Sequence, residues 1–215
     1  ALAKGRITAG GANDPVAGGR IETAETLRKQ YDISRQAQDE LAARSQARAC
    51  TAIQTGVFKE EIVPVTVKGR KGDTVIDQDE HPRPDTTVEK LSALRPILGR
   101  TDPQATVTAG NASGINDGAA AVVMMSAAKA KELGLEVLAT VKAFAGGGLD
   151  PAYMGLGPIP AIRKVLKKTA MTINDIDVIE LNEAFASQAI ACMRELEIPI
   201  EKPNQVGSGV SLGHP

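Results

Sequence analysis

Aromatic side chains are scarce in this sequence, and so is an excess of charge of either sign. Aromatic residues make up 2% of its 215 residues, with no Trp, and 25 Lys and Arg stand against 26 Asp and Glu. A surface that stacks single-stranded nucleic acid needs several exposed rings, and electrostatic attraction to nucleic acid or membrane needs a positive field. We therefore expect neither nucleic acid nor a membrane as a partner. The scarcity of aromatic residues also predicts a core built from aliphatic side chains.

Cysteines are also few, and long apolar runs are missing. The two cysteines, Cys50 and Cys192, do not suggest a disulfide framework in a chain of this size, which favours a reducing compartment. No apolar run has transmembrane length and no basic segment precedes an apolar one, so we expect a cytoplasmic location. The sequence starts at Ala1 rather than Met and stops directly on "GHP", which favours a fragment of a longer chain.

What is present divides the chain into two parts of different character, residues 1–105 and 106–215. In the first part we predict a short helix with Thr23 as N-cap, a longer helix capped by Ser34, and short strands around Pro64. In the second part, apolar segments alternate with helical ones. This alternation predicts a layered α/β fold, to which the first part adds helices, loops and short strands.

Three segments of the second part are predicted as strands. Ala119–Met125 is a continuous apolar run, which is typical of a strand buried on both faces, and it is followed by Val137–Phe144 and by "DIDVIELN". The helices predicted between and after them are Lys129–Leu133, Pro158–Lys168 and Ala184–Leu196.

The segment "NEAF" begins where the third of these strands ends. Asn182 and Glu183 lie at the carboxyl end of the strand, where a helix begins, and ligands of α/β sheets bind at this edge. The amide of Asn182 could hold a water or an oxygen atom, and Glu183 could brace the turn. The alternative is that both residues only cap the helix.

A single histidine, His214, stands among three glycines in "VGSGVSLGHP". The glycines suggest that backbone lies close to a ligand, and histidine exchanges protons most readily near neutral pH. A structural or simply exposed histidine is the alternative.

Two further segments could contact a ligand. In "TAGNASGINDGAAA", small residues such as Ala109 and Ser113 leave space for a ligand chain against the backbone, although they could equally serve a tight turn. Arg83 lies in a loop flanked by prolines, and a guanidinium binds phosphate well. The alternative for Arg83 is a solvated surface charge.

Together these segments resemble the thiolase family, and particularly its acetyl-CoA acetyltransferases. The matching stretches occur in the family's order over about nine-tenths of the chain: "ISRQAQDELAARSQARA", "EEIVPVTVKGRKGD", "LRPIL", "TVTAGNASGINDGAAA", "MGLGPIPA", "ELNEAFASQA" and "SLGHP". The resemblance implies a thiolase-like layered α/β fold with a loop domain that covers coenzyme A. Residues 1–105 would belong to the loop domain, and residues 106–215 mainly to the start of the second half.

The resemblance also implies roles for individual residues. His214 matches the family's histidine that activates the nucleophilic thiol, and Asn182 matches the asparagine that holds a water in the oxyanion hole. The implied substrate contacts are Arg83 at the nucleotide of coenzyme A, Ala109, Ser113 and Ile115 along the pantetheine arm, and Met154, Ala184 and Phe185 at the acyl group. No metal and no cofactor is implied, because the coenzyme A thioester is the substrate, and a homodimer or homotetramer is expected.

The sequence departs from the family in its cysteines. The family's two catalytic-cysteine motifs are absent, and Cys50 and Cys192 are predicted to lie within helices as packing residues. Ser208 stands where the family usually has Gly, and "VAGGRIETAETL" is shorter than the family's segment. The leading hypothesis is a thiolase acting on short 3-oxoacyl-CoA, of which this chain is a part. The alternative is a non-catalytic acyl-CoA-binding or assembly module.

Overall fold

The computed structural model describes residues 19–215, and most of its regular secondary structure is helical. Its helices are α1 (Arg20–Gln30), α2 (Arg35–Gln54), α3 (Val88–Ser92), α4 (Ala127–Glu132), α5 (Pro158–Thr169), α6 (Ala186–Glu195) and α7 (Gly209–Leu212). Short 3-10 helices span Pro151–Leu156 and Ile173–Asp175. Two strands, β1 (Val65–Val67) and β2 (Thr74–Ile76), form an antiparallel hairpin.

Helix α2 begins and ends where its sequence signals predict. The Ser34 hydroxyl accepts a hydrogen bond from the Ala37 N–H at 3.1 Å, which satisfies one of the free donors of the first turn. Gly56 follows the helix with φ of +76°, a conformation that glycine adopts without strain. The predicted cap of α1 is wrong. That helix begins at Arg20, and Thr23 lies inside it, where its hydroxyl donates to the Arg20 carbonyl at 2.7 Å.

Helix α6 lies at the centre of the main hydrophobic core. Its residues 186–193 are all buried, and α1, α2, α5 and the 3-10 helix Pro151–Leu156 pack against it. Each fully buried Leu, Ile or Met side chain contributes about 1.5–3 kcal/mol relative to an exposed one. The core is aliphatic, as the composition predicts, and its largest buried members include Leu27, Leu41, Ile190 and Met193.

The three predicted core strands do not form among residues 19–215. Ala119–Met125 and Val137–Phe144 belong to neither a helix nor a strand, and Val123 and Leu138 are 88% and 92% exposed. A strand needs a neighbouring edge that accepts its backbone hydrogen bonds, and the described part of the chain places none beside these segments. The prediction of a strand buried on both faces is therefore wrong for this structure.

The segment "DIDVIELN" does not form a strand either, and near its carboxyl end a side chain rather than a neighbouring strand satisfies the backbone. The Asn204 amide accepts from the Leu181 N–H at 2.8 Å and donates to the Leu181 carbonyl at 2.7 Å. Leu181 is buried, whereas Val178 is 73% exposed. The hydrogen bonds with Asn204 fix the carboxyl end of the segment, where Asn182 and Glu183 lie.

Two further expectations from the sequence concern membrane-spanning helices and the domain boundary. Within residues 19–215, no helix combines the length and the apolar character that crossing a membrane requires. The boundary near residue 105 stays a prediction, and its first unit includes residues 1–18, which lie outside the described part of the chain.

Candidate active site

A cavity of about 1070 Å³ opens between the N-terminal helices and the segments around "NEAF" and "GHP". Its walls come from α1, the loop after β2, α3, the loop 109–115, the 3-10 helix Pro151–Leu156, the start of α6 and the C-terminal residues. All nine residues that the sequence singles out for the site line it: Arg83, Ala109, Ser113, Ile115, Met154, Asn182, Ala184, Phe185 and His214. The structure therefore brings the predicted residues to one cavity, while their roles stay predictions.

The loop 109–116 runs between the "NEAF" and "GHP" segments and joins them. Ala112 pairs with Phe185 in an antiparallel bridge, and Ile115 pairs with His214 in a parallel one. The Ser113 N–H also donates to the Ala184 carbonyl at 3.0 Å. Because three residues of chain span at most about 10 Å, this loop keeps the two candidate catalytic segments close together.

Asn111 anchors this loop from inside the protein and is fully buried. Its Oδ1 accepts from the Thr108 N–H at 2.8 Å, its Nδ2 donates to Asp39 Oδ1 of α2 at 2.9 Å, and its carbonyl accepts from the Ala186 N–H at 2.9 Å. Asp39 in turn pairs with Arg35 at 2.7 Å. One residue thus ties α2, the loop and the first turn of α6 together, through its side chain and its backbone carbonyl.

A second buried carboxylate, Glu25 of α1, holds the strand-like entry into the same loop. Its Oε1 accepts from the backbone N–H groups of Thr106 and Val107, both at 2.8 Å, and its Oε2 accepts from Arg28 at 3.0 Å. A carboxylate that accepts several N–H bonds is well satisfied when buried. Glu25 therefore has a structural role in positioning the cavity wall.

Glu183 braces the turn that presents Asn182, as its position after the predicted strand suggests. It is buried and accepts from Ser45 Oγ at 2.6 Å and from Asn204 Nδ2 at 3.1 Å. Burial raises the pKa of this carboxyl above its usual value, and the hydrogen bonds from Ser45 and Asn204 oppose that effect. Asn182 itself lines the cavity and is exposed.

Close packing against glycine places the Asn182 amide. A Cβ added to Gly209 would lie 2.8 Å from Asn182 Oδ1 and 2.8 Å from the Glu183 carbonyl oxygen. Real Cβ atoms do not approach other atoms so closely, so only glycine leaves room for the "NEAF" turn at this point. The glycines around "GHP" therefore do bring backbone close to another segment, although in this case it belongs to the chain itself.

The cavity has a cationic part that could contact phosphates. Arg20, Arg83 and Lys90 line it, together with the carboxylate of Asp85. Lys90 pairs with Asp85 at 2.9 Å, and this hydrogen bond holds the pKa of the Asp85 carboxyl below its usual value. The Arg83 backbone N–H donates to Gln46 Oε1 of α2 at 2.7 Å, which anchors the loop that carries the guanidinium. Across residues 19–215, no cluster of three or more His, Cys, Asp or Glu side chains is arranged to hold a metal ion.

Comparison with known proteins matches nearly the whole chain to two family models. The thiolase N-terminal domain matches residues 14–128, and the thiolase C-terminal domain matches residues 135–215. The chain belongs to the thiolase family. The fold predicted from the resemblance is confirmed by two solved thiolase structures. The acetyl-CoA acetyltransferase of Bacillus anthracis superposes with a TM-score of 0.85 at 50% identity, and human mitochondrial 3-ketoacyl-CoA thiolase with 0.84 at 43% identity.

Curated thiolases with similar sequences are about twice as long. The β-ketoadipyl-CoA thiolase of Pseudomonas aeruginosa is 53% identical over 196 residues, and the acetyl-CoA acetyltransferase of Syntrophomonas wolfei is 53% identical over 195. Each alignment covers 90% of this chain and 48% of the relative. The two solved structures are covered to the same extent, 90% and 48%. The thiolase chain described here therefore spans about half the length of the relatives it matches.

The two cysteines of this thiolase chain lie within helices, as predicted from the sequence. Cys50 lies in α2, and Cys192 lies in α6, where it is fully buried. Burial raises the pKa of the Cys192 thiol to about 11 and also raises that of Cys50. A thiol with a raised pKa is a poor nucleophile, and neither residue is part of the cavity wall. Both cysteines fit a packing role.

Several residues that line the cavity are not predicted from the sequence. Thr23 and Leu27 of α1, Gln188 of α6, and His81 contribute to its wall. His81 stands two positions before Arg83, in the loop already singled out, so its proximity to a candidate ligand contact was the available signal. The contribution of α1 has no local signal, because it depends on how α1 packs against α6.

Proposed function

We propose that the protein containing this chain is a thiolase-type acyltransferase that acts on short 3-oxoacyl-CoA. The observation that carries the proposal is the single cavity that gathers Asn182 and His214 with the candidate coenzyme A contacts. The printed names of the similar proteins, acetyl-CoA acetyltransferase and 3-ketoacyl-CoA thiolase, support the same class of reaction. The reaction would run either as condensation of two acetyl-CoA molecules or as cleavage of a 3-oxoacyl-CoA by coenzyme A.

The shape and charge of the cavity support coenzyme A as the ligand. Its volume of about 1070 Å³ lies slightly above the usual range for small-molecule sites, about 300–1,000 Å³, which suits a ligand as long as coenzyme A. Arg83 would contact the phosphates, and the small side chains of Ala109 and Ser113 would leave space for the pantetheine arm. Met154, Ala184 and Phe185 would then contact the acyl group.

Asn182 and His214 would stabilise the oxygen on which negative charge develops during acyl transfer. In that role, His214 donates from its imidazole, and Asn182 holds a water that donates to the same oxygen. Prearranged donors of this kind typically lower the activation barrier by about 2.7–4 kcal/mol each. The bridge between Ile115 and His214 and the bracing of the "NEAF" turn by Glu183 support such an arrangement, because both reduce the freedom of the donors.

The nucleophile of the proposed reaction is a cysteine outside this chain's own two thiols. In the condensation direction, acyl transfer from acetyl-CoA to that cysteine would break the thioester and release coenzyme A, and a second acetyl-CoA would then accept the acyl group. In the cleavage direction, transfer to the cysteine would break the carbon–carbon bond of the 3-oxoacyl-CoA and release acetyl-CoA, and coenzyme A would then accept the acyl group. The raised pKa values and helical positions of Cys50 and Cys192 support this assignment. Homodimeric or homotetrameric assembly and a cytoplasmic location are further parts of the proposal.

The decisive experiment uses a polypeptide of full thiolase length that contains this chain. After incubation with acetyl-CoA and rapid acid quench, intact-protein mass spectrometry should show one added acetyl group, located on a cysteine other than Cys50 and Cys192. Replacing Asn182 by Ala should lower kcat by about 10²–10³-fold if the amide supports one oxyanion donor. Lack of any acyl-enzyme would overturn the proposal and favour a non-catalytic acyl-CoA-binding or assembly module. A natural product with the mass of this chain, 22.4 kDa, would point the same way.

A further inference from the structure

His81 is the other of the chain's two histidines, and the proposed reaction gives it no role. It lies in the loop after β2, and its side chain lines the same cavity as His214. Its Nε2 is 2.8 Å from Nδ2 of Asn116. A Cβ added to Gly114 would lie 2.5 Å from His81 Cε1, so this glycine leaves the space in which the ring sits.

Asn116 connects His81 to the backbone of His214 through two further hydrogen bonds. The His214 N–H donates to Asn116 Oδ1 at 3.2 Å, and the Asn116 N–H donates to the His214 carbonyl at 3.1 Å. The Asn116 amide also packs against Gly213, because a Cβ on that glycine would lie 2.4 Å from Asn116 Oδ1. The N–H of His214 is therefore held by the side chain of Asn116, and its carbonyl by the backbone of the same residue.

The tautomer of a neutral His81 ring follows from the chemistry of these groups. A backbone N–H can only donate, so the atom of Asn116 that faces His214 must be its oxygen. The Asn116 NH₂ group then faces His81, and Nε2 of the ring must accept its hydrogen bond. A neutral imidazole with an accepting Nε2 carries its proton on Nδ1.

We propose that His81 is a positioning residue for His214, acting through Asn116. With Nε2 as acceptor, His81 fixes the orientation of the Asn116 amide, and the fixed amide holds the His214 backbone in the cavity wall. Without that acceptor the amide can rotate, and the His214 N–H loses its partner for part of the time. The role of His214 in this inference rests on the proposed function, whereas the connection between the two histidines does not.

The first test uses the full chain and its two imidazoles. Two-dimensional ¹H–¹⁵N spectra of the rings should show His81 as the Nδ1–H tautomer at a pH where it is neutral. In His81→Phe the backbone amide signals of Asn116 and His214 should shift, because Phe fills the space but accepts no hydrogen bond. His81→Gln should restore them, since its side-chain carbonyl can accept from Asn116, and Asp79→Asn in the same exposed loop is the matched control. An Nε2–H tautomer in the wild type, or unchanged His214 signals in His81→Phe, overturns the connection.

A second variant covers the case in which His81→Phe does not fold. Asn116→Asp keeps an acceptor for the His214 N–H and replaces the donor that faces His81 by a carboxylate oxygen. The ring of His81 should then carry a proton on Nε2. A ring that keeps the Nδ1–H form in this variant overturns the inferred arrangement.

The second test uses the polypeptide of full thiolase length and separates positioning from stability. His81→Phe should lower kcat by about five- to tenfold, the effect of losing one neutral hydrogen bond, with KM for coenzyme A unchanged. His81→Gln should recover most of kcat. Equal losses in both variants, or a change confined to KM, contradict the positioning role. If the wild type is inactive, the proposed function fails, while the imidazole and amide signals still decide whether His81 and His214 are connected.

Discussion

Removing the buried carboxylate of Glu183 gives the sharpest test of how the "NEAF" turn is held. In Glu183→Ala, the Ser45 hydroxyl loses its acceptor but can turn to Ser211 Oγ, which lies 2.9 Å away. Asn204 keeps its bond to the Leu181 carbonyl and loses its second acceptor, and the Val210 N–H loses its acceptor as well. Two buried donors are therefore left unsatisfied.

Each unsatisfied buried donor costs about 1–3 kcal/mol, so the two together cost about 2–6 kcal/mol. Burial disfavours the charged form of Glu183 and raises its pKa, so removing this carboxyl offsets part of the cost. We expect a net loss in the lower part of the range, about 2–3 kcal/mol of unfolding free energy. Glu183→Gln should lose less than about 1 kcal/mol, because its carbonyl still accepts and the Ser45 hydroxyl can reverse direction to accept from the new NH₂.

Urea unfolding of the full chain measures both variants, provided that the m-value stays constant. The pH dependence gives a second check with a defined sign. Since the folded pKa of Glu183 is raised, the charged form is disfavoured by folding, and its stability contribution falls as pH rises from the unfolded pKa through the folded one. Over that pH interval, the unfolding free energy of Glu183→Gln should therefore rise relative to that of the wild type. A Glu183→Ala variant as stable as the wild type, or a Gln variant as unstable as the Ala variant, would refute the reasoning.

Three further predictions follow from single positions. Gly207 has φ of +90°, and a Cβ there would lie 2.6 Å from Ser211 Oγ and 2.8 Å from Ala49 Cβ. Gly207→Ala should therefore lower the unfolding free energy by about 2–4 kcal/mol, measured by thermal unfolding. Gly72→Ala is the control and should cost less, because a Cβ at Gly72 meets open space. Cys192 should resist a disulfide-exchange reagent at pH 7.5 until urea unfolds the chain, because burial raises its thiol pKa to about 11; rapid native labelling would contradict this. Arg83→Gln should weaken coenzyme A binding about 10- to 150-fold in calorimetry, the effect of losing a charged hydrogen bond, and Arg70→Gln in the β1–β2 hairpin loop should leave it unchanged.

Local signals in the sequence located helices well. The Ser34 cap and Gly56 bound α2, and Pro158 in its first turn starts α5, because caps and proline act through the helix's own backbone. Thr23 failed as a cap for a related reason. Its hydroxyl can serve either the start of a helix or the carbonyl one turn earlier, and the sequence does not distinguish the two.

Strands in the second part were predicted wrongly because an apolar run indicates that a segment needs a partner surface, but not whether the chain supplies one. Ala119–Met125 has the composition of a buried strand, yet no neighbouring edge meets it among residues 19–215. The site was predicted better, since the family's motifs identified residues that the structure brings to one cavity. The connections between them could not be predicted, because Asn111 and Asn116 each bond to residues far away in sequence.

The bonds that brace the cavity also determine when it can form during folding. Ser45 bonds to Glu183 across 138 residues and to Ser211 across 166, while Asn111 reaches Asp39 across 72. Closing such long loops is entropically costly and slow, so these contacts belong to the late steps of folding. We expect partly folded chains to have no affinity for coenzyme A. Ligand binding would then slow amide exchange in α2, α6 and α7 together, because opening any one of them opens the cavity.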